Sequence, residues 1–120
     1  ALQAMTNALY EAGINIWGSV TNDGAEYGIN RMVVSDPDKA KEVLTEKGYL
    51  CRFVDVLAVE IEDKPGALNT LLTALLDSNV NVDYTYLSFN RDSSTPVMIL
   101  HTADPEEVEI CLKAKGFKMV

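Results

Sequence analysis

The segment Asp63-Lys64-Pro65-Gly66-Ala67-Leu68 carries residue types that could hold an anionic ligand. Pro65 suits the first position of a helix, and Gly66 has no side chain to keep a ligand from the N–H groups of the first turn. Lys64, the predicted N-cap, cannot accept a hydrogen bond from these groups. Either Asp63 therefore caps the helix, or an anion binds at the positive end of the helix dipole. A capped turn without a ligand is the simpler interpretation of this pattern.

The sequence on both sides of this segment predicts a strand that leads into a helix. Val56 to Glu62 alternates apolar and acidic residues near its end, as in a half-buried strand. After the turn, leucines recur at helical spacing, which predicts that five of them face a core: Leu68, Leu71, Leu72, Leu75 and Leu76.

An internal repeat gives the organisation of the whole chain. Residues 1–5 recur as residues 67–71 (67 − 1 = 66), and Gly13-Ile14-Asn15-Ile16 recurs at the same offset. Asp36-Pro37 recurs as Asp104-Pro105 (104 − 36 = 68). We expect the two additional residues in the polar stretch 90–94, because insertions are tolerated at hairpin tips. The repeat predicts two similar modules, residues 1–55 and 56–120.

Both modules show the same order of predicted elements. The first reads helix, strand, strand, helix and strand, with a hairpin around Asn22-Asp23-Gly24 and a last strand from Leu50 to Val54. The second adds the opening strand Val56 to Glu62 and has hairpin strands near Val80 to Phe89 and Thr95 to Thr102. The predicted fold class is α+β, with two ferredoxin-like βαββαβ modules and antiparallel sheets, the first lacking its opening strand. We expect the natural chain to extend N-terminally by about ten residues, the length of a strand and a turn.

Asp63-Lys64-Pro65-Gly66-Ala67-Leu68, the leucine-rich helix and Ser78-Asn79-Val80-Asn81-Val82 together resemble an ACT domain. Ala12-Gly13-Ile14-Asn15-Ile16 is similar to the helix-to-strand junction of the same family, so the resemblance covers the chain as a tandem pair. The resemblance implies a regulatory protein that binds an amino acid or another small effector, usually at an interface between two domains. It also implies that the ligand contacts the backbone around Pro65, Gly66, Ala67 and Leu68, with Asp63 and Asn81 nearby and Asn15 in a second site.

The chemistry of an α-amino acid fits these residues. Backbone N–H groups from Gly66 to Leu68 would bind the carboxylate, and Asp63 would accept hydrogen bonds from the ammonium group. Asn81 carries a donor and an acceptor in one amide and could bridge both ends of the ligand. For Asn81 and Asn15 the alternative is a local hydrogen bond that ends a helix.

Composition argues against several other classes of protein. The net charge of −8 repels phosphate backbones and anionic lipid surfaces, so neither nucleic acid nor a membrane is an expected partner. Cys51 and Cys111 lack CxxC spacing, which disfavours a zinc site and a disulfide framework and makes a cytoplasmic setting the default. The two cysteines are expected to be small buried apolar residues. His101 lies in an apolar run and is expected to be a sheet residue, while Tyr84 and Tyr86 should share one face of a strand.

The sequence therefore predicts an amino acid sensor that forms a homodimer, needs no cofactor and has no catalysis of its own. Its signal would be read by a metabolic enzyme or a regulator. The alternative is a structural or protein-binding module that dimerises through its sheets and binds no ligand.

Overall fold

The computed structural model describes residues 2–23 and 28–120. They form two compact units, Ala1–Val54 and Asp55–Val120. The first unit contains α1 (Leu2–Glu11), β1 (Ile16–Asp23), β2 (Gly28–Val34) and α2 (Pro37–Glu46). The second contains β3 (Leu57–Glu60), α3 (Ala67–Asp77), β4 (Tyr84–Phe89), β5 (Pro96–His101), α4 (Pro105–Ala114) and β6 (Lys118–Met119). Gly24 of the expected hairpin turn lies outside the described residues.

The second unit is a four-stranded antiparallel sheet with two helices on one face. The strand order is β4-β5-β3-β6, which is the ferredoxin-like arrangement. Its core joins the inner faces of the central strands β3 and β5 to those of α3 and α4: Leu57, Val59, Met98, Leu100, Leu71, Leu75, Val108 and Leu112. This arrangement confirms the predicted α+β class and leaves β4 at one edge of the sheet.

The first unit pairs β1 with β2 and packs them against α1 and α2. The prediction of a last strand from Leu50 to Val54 was wrong, because these residues form no strand. In the second unit the last strand, β6, pairs with β3. The described part of the first unit has no strand that corresponds to β3, so residues 50–54 have no neighbouring strand with which to pair.

The four helices of the described residues end in the same way, which shows the repeat in three dimensions. Each has a residue of positive φ just after its last turn: Gly13, Gly48, Asn79 and Gly116. The N–H of the next residue donates to a carbonyl five positions back, as from Ile14 to Leu9 at 3.0 Å and from Val80 to Leu75 at 2.9 Å. This is the Schellman motif, with its usual contact between apolar residues at the two ends of the bond.

The second helix of each unit begins at the repeated Asp-Pro pair. The carboxylate of Asp36 accepts from the N–H of Lys39 at 3.2 Å, and that of Asp104 accepts from the N–H of Glu107 at 3.4 Å. A proline follows each cap in the first turn of the helix. Both aspartates therefore act as N-caps.

Only two of the five leucines that were expected in the core are buried, namely Leu71 and Leu75. Three others remain partly or largely exposed and form what we call the outer leucine row: Leu68, Leu72 and Leu76. A single helix resting on one sheet buries a narrow stripe, and the row next to it is covered only if a further element packs there. The same limit applies to α1, where Tyr10 is exposed.

Candidate functional site

The predicted binding segment is a tight turn that precedes α3. The N–H of Ala67 donates to the carbonyl of Lys64 at 3.3 Å, and Gly66 has φ 86° and ψ −5°. These values, with proline at the second position, describe a type II β-turn. The expectation that Pro65 is the first helical residue was therefore wrong, since the helix begins at Ala67 with Gly66 in the N-cap position.

The first turn of α3 keeps unpaired N–H groups. The N–H of Thr70 donates to the carbonyl of Gly66 at 2.9 Å, whereas those of Leu68 and Asn69 have no acceptor in the described part of the chain. No side chain caps the helix, so Asp63 is not the cap that the sequence allowed for. The space beside Gly66 is open, because a Cβ atom built there would meet nothing within 4 Å. Two donors thus face outward at the positive end of the helix dipole.

Charged groups surround these donors. The Lys64 ammonium lies 2.7 Å from a carboxylate oxygen of Glu62. This hydrogen bond and the charge of Lys64 lower the pKa of Glu62 below its usual value. Glu62 is thus ionised and already paired, while Asp63 is exposed and has no ion-pair partner among the described residues. Among the described residues, Asp63 is thus the carboxylate of this turn that stays unpaired.

Asn81 lies at the opposite end of α3 from the turn. The helix has 11 residues and is about 16 Å long, whereas the two charged groups of an α-amino acid are bonded to the same carbon atom, its Cα. One copy of the second unit therefore does not bring Asn81 to the ligand groups of Gly66 and Asp63. A site that uses both ends of α3 therefore needs another copy of this unit. The α3 helix of that copy would lie antiparallel to the α3 helix of the original one.

The two corresponding asparagines have different surroundings. The N–H of Asn15 donates to the hydroxyl of Ser35 at 2.9 Å, and its carbonyl accepts from the N–H of Ser35 at 2.9 Å. Ala103 holds the place of Ser35 in the second unit and has no hydroxyl to offer. Asn81 is exposed and has no hydrogen bond within the residues that the structure describes. Asn15 is thus bonded locally through its backbone, whereas the backbone of Asn81 makes no such bond in the described part of the chain.

A pair that sequence reasoning missed lies two residues beyond Asn81. The Nδ1 atom of His101 is 2.9 Å from a carboxylate oxygen of Asp83, and the Asp83 N–H donates to the His101 carbonyl at 2.9 Å. The His101 ring stacks on Tyr84 with a centroid distance of 4.8 Å. The ring of Tyr84 also lies nearly parallel to that of Tyr86, on the shared face that was predicted. Only the register that pairs Tyr84 with His101 brings this group together, and the sequence does not state that register.

Other features do not point to a metal or a membrane. No group of three or more histidine, cysteine or carboxylate side chains that could hold a metal occurs within residues 2–23 and 28–120. In the same part of the chain no helix has the length and apolar character needed to cross a membrane.

A shallow groove of about 380 Å³ in the first unit, beside Lys41 and Phe53, contains none of the predicted site residues. The two cysteines are half-buried rather than buried as expected, and the Cys111 thiol donates to the Ser78 hydroxyl at 3.1 Å.

Comparisons with known proteins agree with the fold. The crystal structure of protein BT0572 from Bacteroides thetaiotaomicron is similar to this chain, with a TM-score of 0.89 and 27% sequence identity. The match covers 100% of this chain and 82% of that chain. No match was found among curated proteins. The family described as ACT domain pair matches residues 1–119, and ACT domains generally bind small-molecule effectors in regulation. The chain therefore belongs to the ACT domain family and contains an ACT domain pair.

Proposed function

We propose that this chain is a regulatory protein that binds a free α-amino acid through its second module, residues 56–120, and has no catalytic activity. The observation that carries the proposal is the pair of outward N–H groups of Leu68 and Asn69 behind the open Gly66. These groups match a carboxylate, and the unpaired Asp63 matches an ammonium group. The ligand would also contact Pro65 and Ala67, which belong to the same turn.

A second copy of the chain completes the proposed site. Because about 16 Å of helix separates Gly66 from Asn81, the amide at the ligand would come from the Asn81 of a neighbouring copy. A two-fold axis beside α3 and β4 would bring each turn to the other copy's asparagine and form two equivalent sites. We assign the first module a supporting role, because the backbone N–H and carbonyl of Asn15 are already bonded to Ser35 while those of Asn81 are not.

The surface beside this axis suits such a dimer. The outer leucine row of α3 is exposed, and so are Leu87 and Phe89 of the edge strand β4. Leu87 and Phe89 pair in register with Met98 and Pro96, so they lie on the sheet face that carries the helices. Apolar side chains next to an unpaired strand edge favour association with another chain.

The proposed regulator would act in the cytoplasm on a metabolic enzyme or on another regulator. Its net charge of −8 makes nucleic acid and anionic membranes unfavourable partners. The proposed binding reaction needs no cofactor, since backbone donors, the Asp63 carboxylate and the Asn81 amide supply all polar contacts.

Thermal unfolding of the chain in the presence of each of the twenty amino acids, one at a time, tests the proposal. A ligand that binds only the folded protein at a hundred times its dissociation constant stabilises it by about 2.7 kcal/mol. We expect one amino acid, or a few related ones, to raise the unfolding temperature. A flat response across the panel would contradict the proposal.

The exposed apolar surface also supports a second candidate, a protein-binding module without a ligand. In that case α3 and β4 associate with another chain, and the Pro65-Gly66 turn only connects two elements. This candidate predicts a flat amino acid panel together with a dimer that is stable in the absence of any ligand.

A further inference from the structure

We infer that Asp83 and His101 are positioning residues that hold Asn81 in its binding conformation. The inference rests on the proposed function, because it assigns the Asn81 side chain to the ligand. The starting observation is that Asn81 precedes β4 by three residues and has no hydrogen bond of its own in the described part of the chain. Whatever fixes its backbone must act through its neighbours.

Two kinds of contact fix these neighbours. Val80 and Val82, on either side of Asn81, pack against the core of the second unit. Asp83 is then held by two bonds to the same residue, its N–H to the His101 carbonyl and its carboxylate to the His101 Nδ1, each 2.9 Å long. Such a two-bond connection defines both the position and the rotation of the backbone at residue 83.

The first unit has a different set of hydrogen bonds at the corresponding position, which is Asn15. There the Ser35 hydroxyl and N–H bind the backbone of Asn15 directly. In the second unit Ala103 replaces that serine, and the Asp83–His101 pair provides the bonds two residues further on. The backbone of Asn81 is thereby held without occupying its own N–H, carbonyl or amide. The difference between the two units thus leaves the backbone N–H and carbonyl of Asn81, in addition to its amide, for a ligand while keeping the residue ordered.

The stack of His101 on Tyr84 supports the same role. The ring planes lie 3° apart, so the imidazole is fixed in orientation and its Nδ1 stays directed at Asp83. A residue that only filled space at the end of β5 would not need both a stacked ring and a bonded nitrogen.

The first test measures amide hydrogen exchange in the ligand-free chain. Replacement of Asp83 by Ala should raise the exchange rate of the Val80 and Asp83 amides about tenfold, because the segment loses the contact that orders it. These are the amides of the segment that donate hydrogen bonds, to the carbonyls of Leu75 and His101. The variant Asp83→Asn keeps an acceptor for Nδ1 and should restore slow exchange. Glu109→Ala, which removes an exposed ion pair with Lys113 on α4, is the matched control and should leave residues 80–83 unchanged. Unchanged exchange in Asp83→Ala would overturn the inference even if the chain binds an amino acid.

The second test measures binding of the amino acid that gives the largest rise in unfolding temperature. Asp83→Ala and His101→Phe should each weaken its affinity about tenfold, and the double variant should be no weaker than either alone. In an Asn81→Ala background Asp83→Ala should have no further effect, because the residue that it positions is gone. Additive losses in that background would show that Asp83 acts elsewhere. A flat amino acid panel would reject the proposed function, while the exchange experiment would still decide the positioning role.

Discussion

Thr102 occupies the position in the second unit that Val34 occupies in the first. The two residues are separated by the same 68 positions as the two capping aspartates, and both are buried, at 4% and 7% exposure. Valine and threonine have nearly the same shape, but threonine brings a hydroxyl into the interior. The hydroxyl of Thr102 has no hydrogen-bond partner in the described structure. The two units thus fill the same buried position with side chains of similar shape, and only the one in the second unit carries a polar group.

We predict that Thr102→Val stabilises the protein by about 1 kcal/mol, because it removes a buried hydroxyl that has lost its water. The reverse change, Val34→Thr, should destabilise the protein by about 1 to 3 kcal/mol for the same reason. Urea unfolding of both variants and of the wild type measures the two free energies. A loss of stability in Thr102→Val would show that its hydroxyl has a partner in solution.

A second prediction concerns the end of α3. Asn79 has φ 57°, while the corresponding residue of α1 is Gly13 with φ 75°. Left-handed backbone is accessible to glycine without strain and to asparagine at some cost. We expect Asn79→Gly to stabilise the protein by about 0.5 kcal/mol and Gly13→Asn to destabilise it by a similar amount. Thermal unfolding measures both changes, and the prediction is wrong if the two shifts have the same sign.

A third prediction separates ligand binding from backbone strain at Gly66. Gly66 and Gly116 have φ 86° and 91°, and a Cβ atom at either position meets nothing within 4 Å. Replacement of either by alanine should therefore cost a similar stability, about 1 kcal/mol. Only Gly66→Ala should also weaken amino acid binding, since its methyl group lies beside the N–H groups of the first helical turn.

Isothermal titration with the stabilising amino acid, combined with thermal unfolding of both variants, tests this prediction. Gly116→Ala is the control for strain alone. Equal affinities of Gly66→Ala and Gly116→Ala would place the ligand elsewhere on the chain.

The parts of this fold that the sequence predicts are those with local causes. The capping aspartates, the glycines that end helices and the alternation in β3 each act within a few residues, so the elements and the repeat could be recognised. Pro65-Gly66 was harder, because a proline φ near −65° fits both a helix start and the second position of a type II turn. The positive φ of Gly66 decides between them, and that angle is not visible in the sequence.

Long-range features could not be predicted in the same way. Leu50 to Val54 has a composition suited to a strand, yet its counterpart β6 pairs with β3, and the described part of the first unit has no strand that corresponds to β3. The contact between Asp83 and His101 depends on the pairing register of β4 and β5. Which leucines of α3 are buried depends on how the helix rests on the sheet. The tight turn between β3 and α3 could therefore be recognised from the sequence, while the separation of Gly66 from Asn81 by the length of α3 became evident only from the structure.

The fourth prediction tests the proposed dimer surface. Leu76 of the outer leucine row and Ile110 of α4 have similar exposure, 74% and 69%, so a lysine at either position should leave the free energy of unfolding of one chain almost unchanged. We expect Leu76→Lys to convert the dimer to a monomer, because a charge must then lose its water in an apolar interface. Ile110→Lys should remain a dimer, since α4 lies away from β4 in the proposed arrangement.

Analytical ultracentrifugation of the wild type and both variants measures the molecular mass directly. The monomeric Leu76→Lys variant should also lose amino acid binding, because the Asn81 of the second copy no longer reaches the turn at Gly66. A monomer that binds the amino acid with wild-type affinity would show that one copy contains a complete site. A dimer that survives Leu76→Lys and dissociates in Ile110→Lys would place the interface on α4, and the relation between Gly66 and Asn81 would then need another explanation.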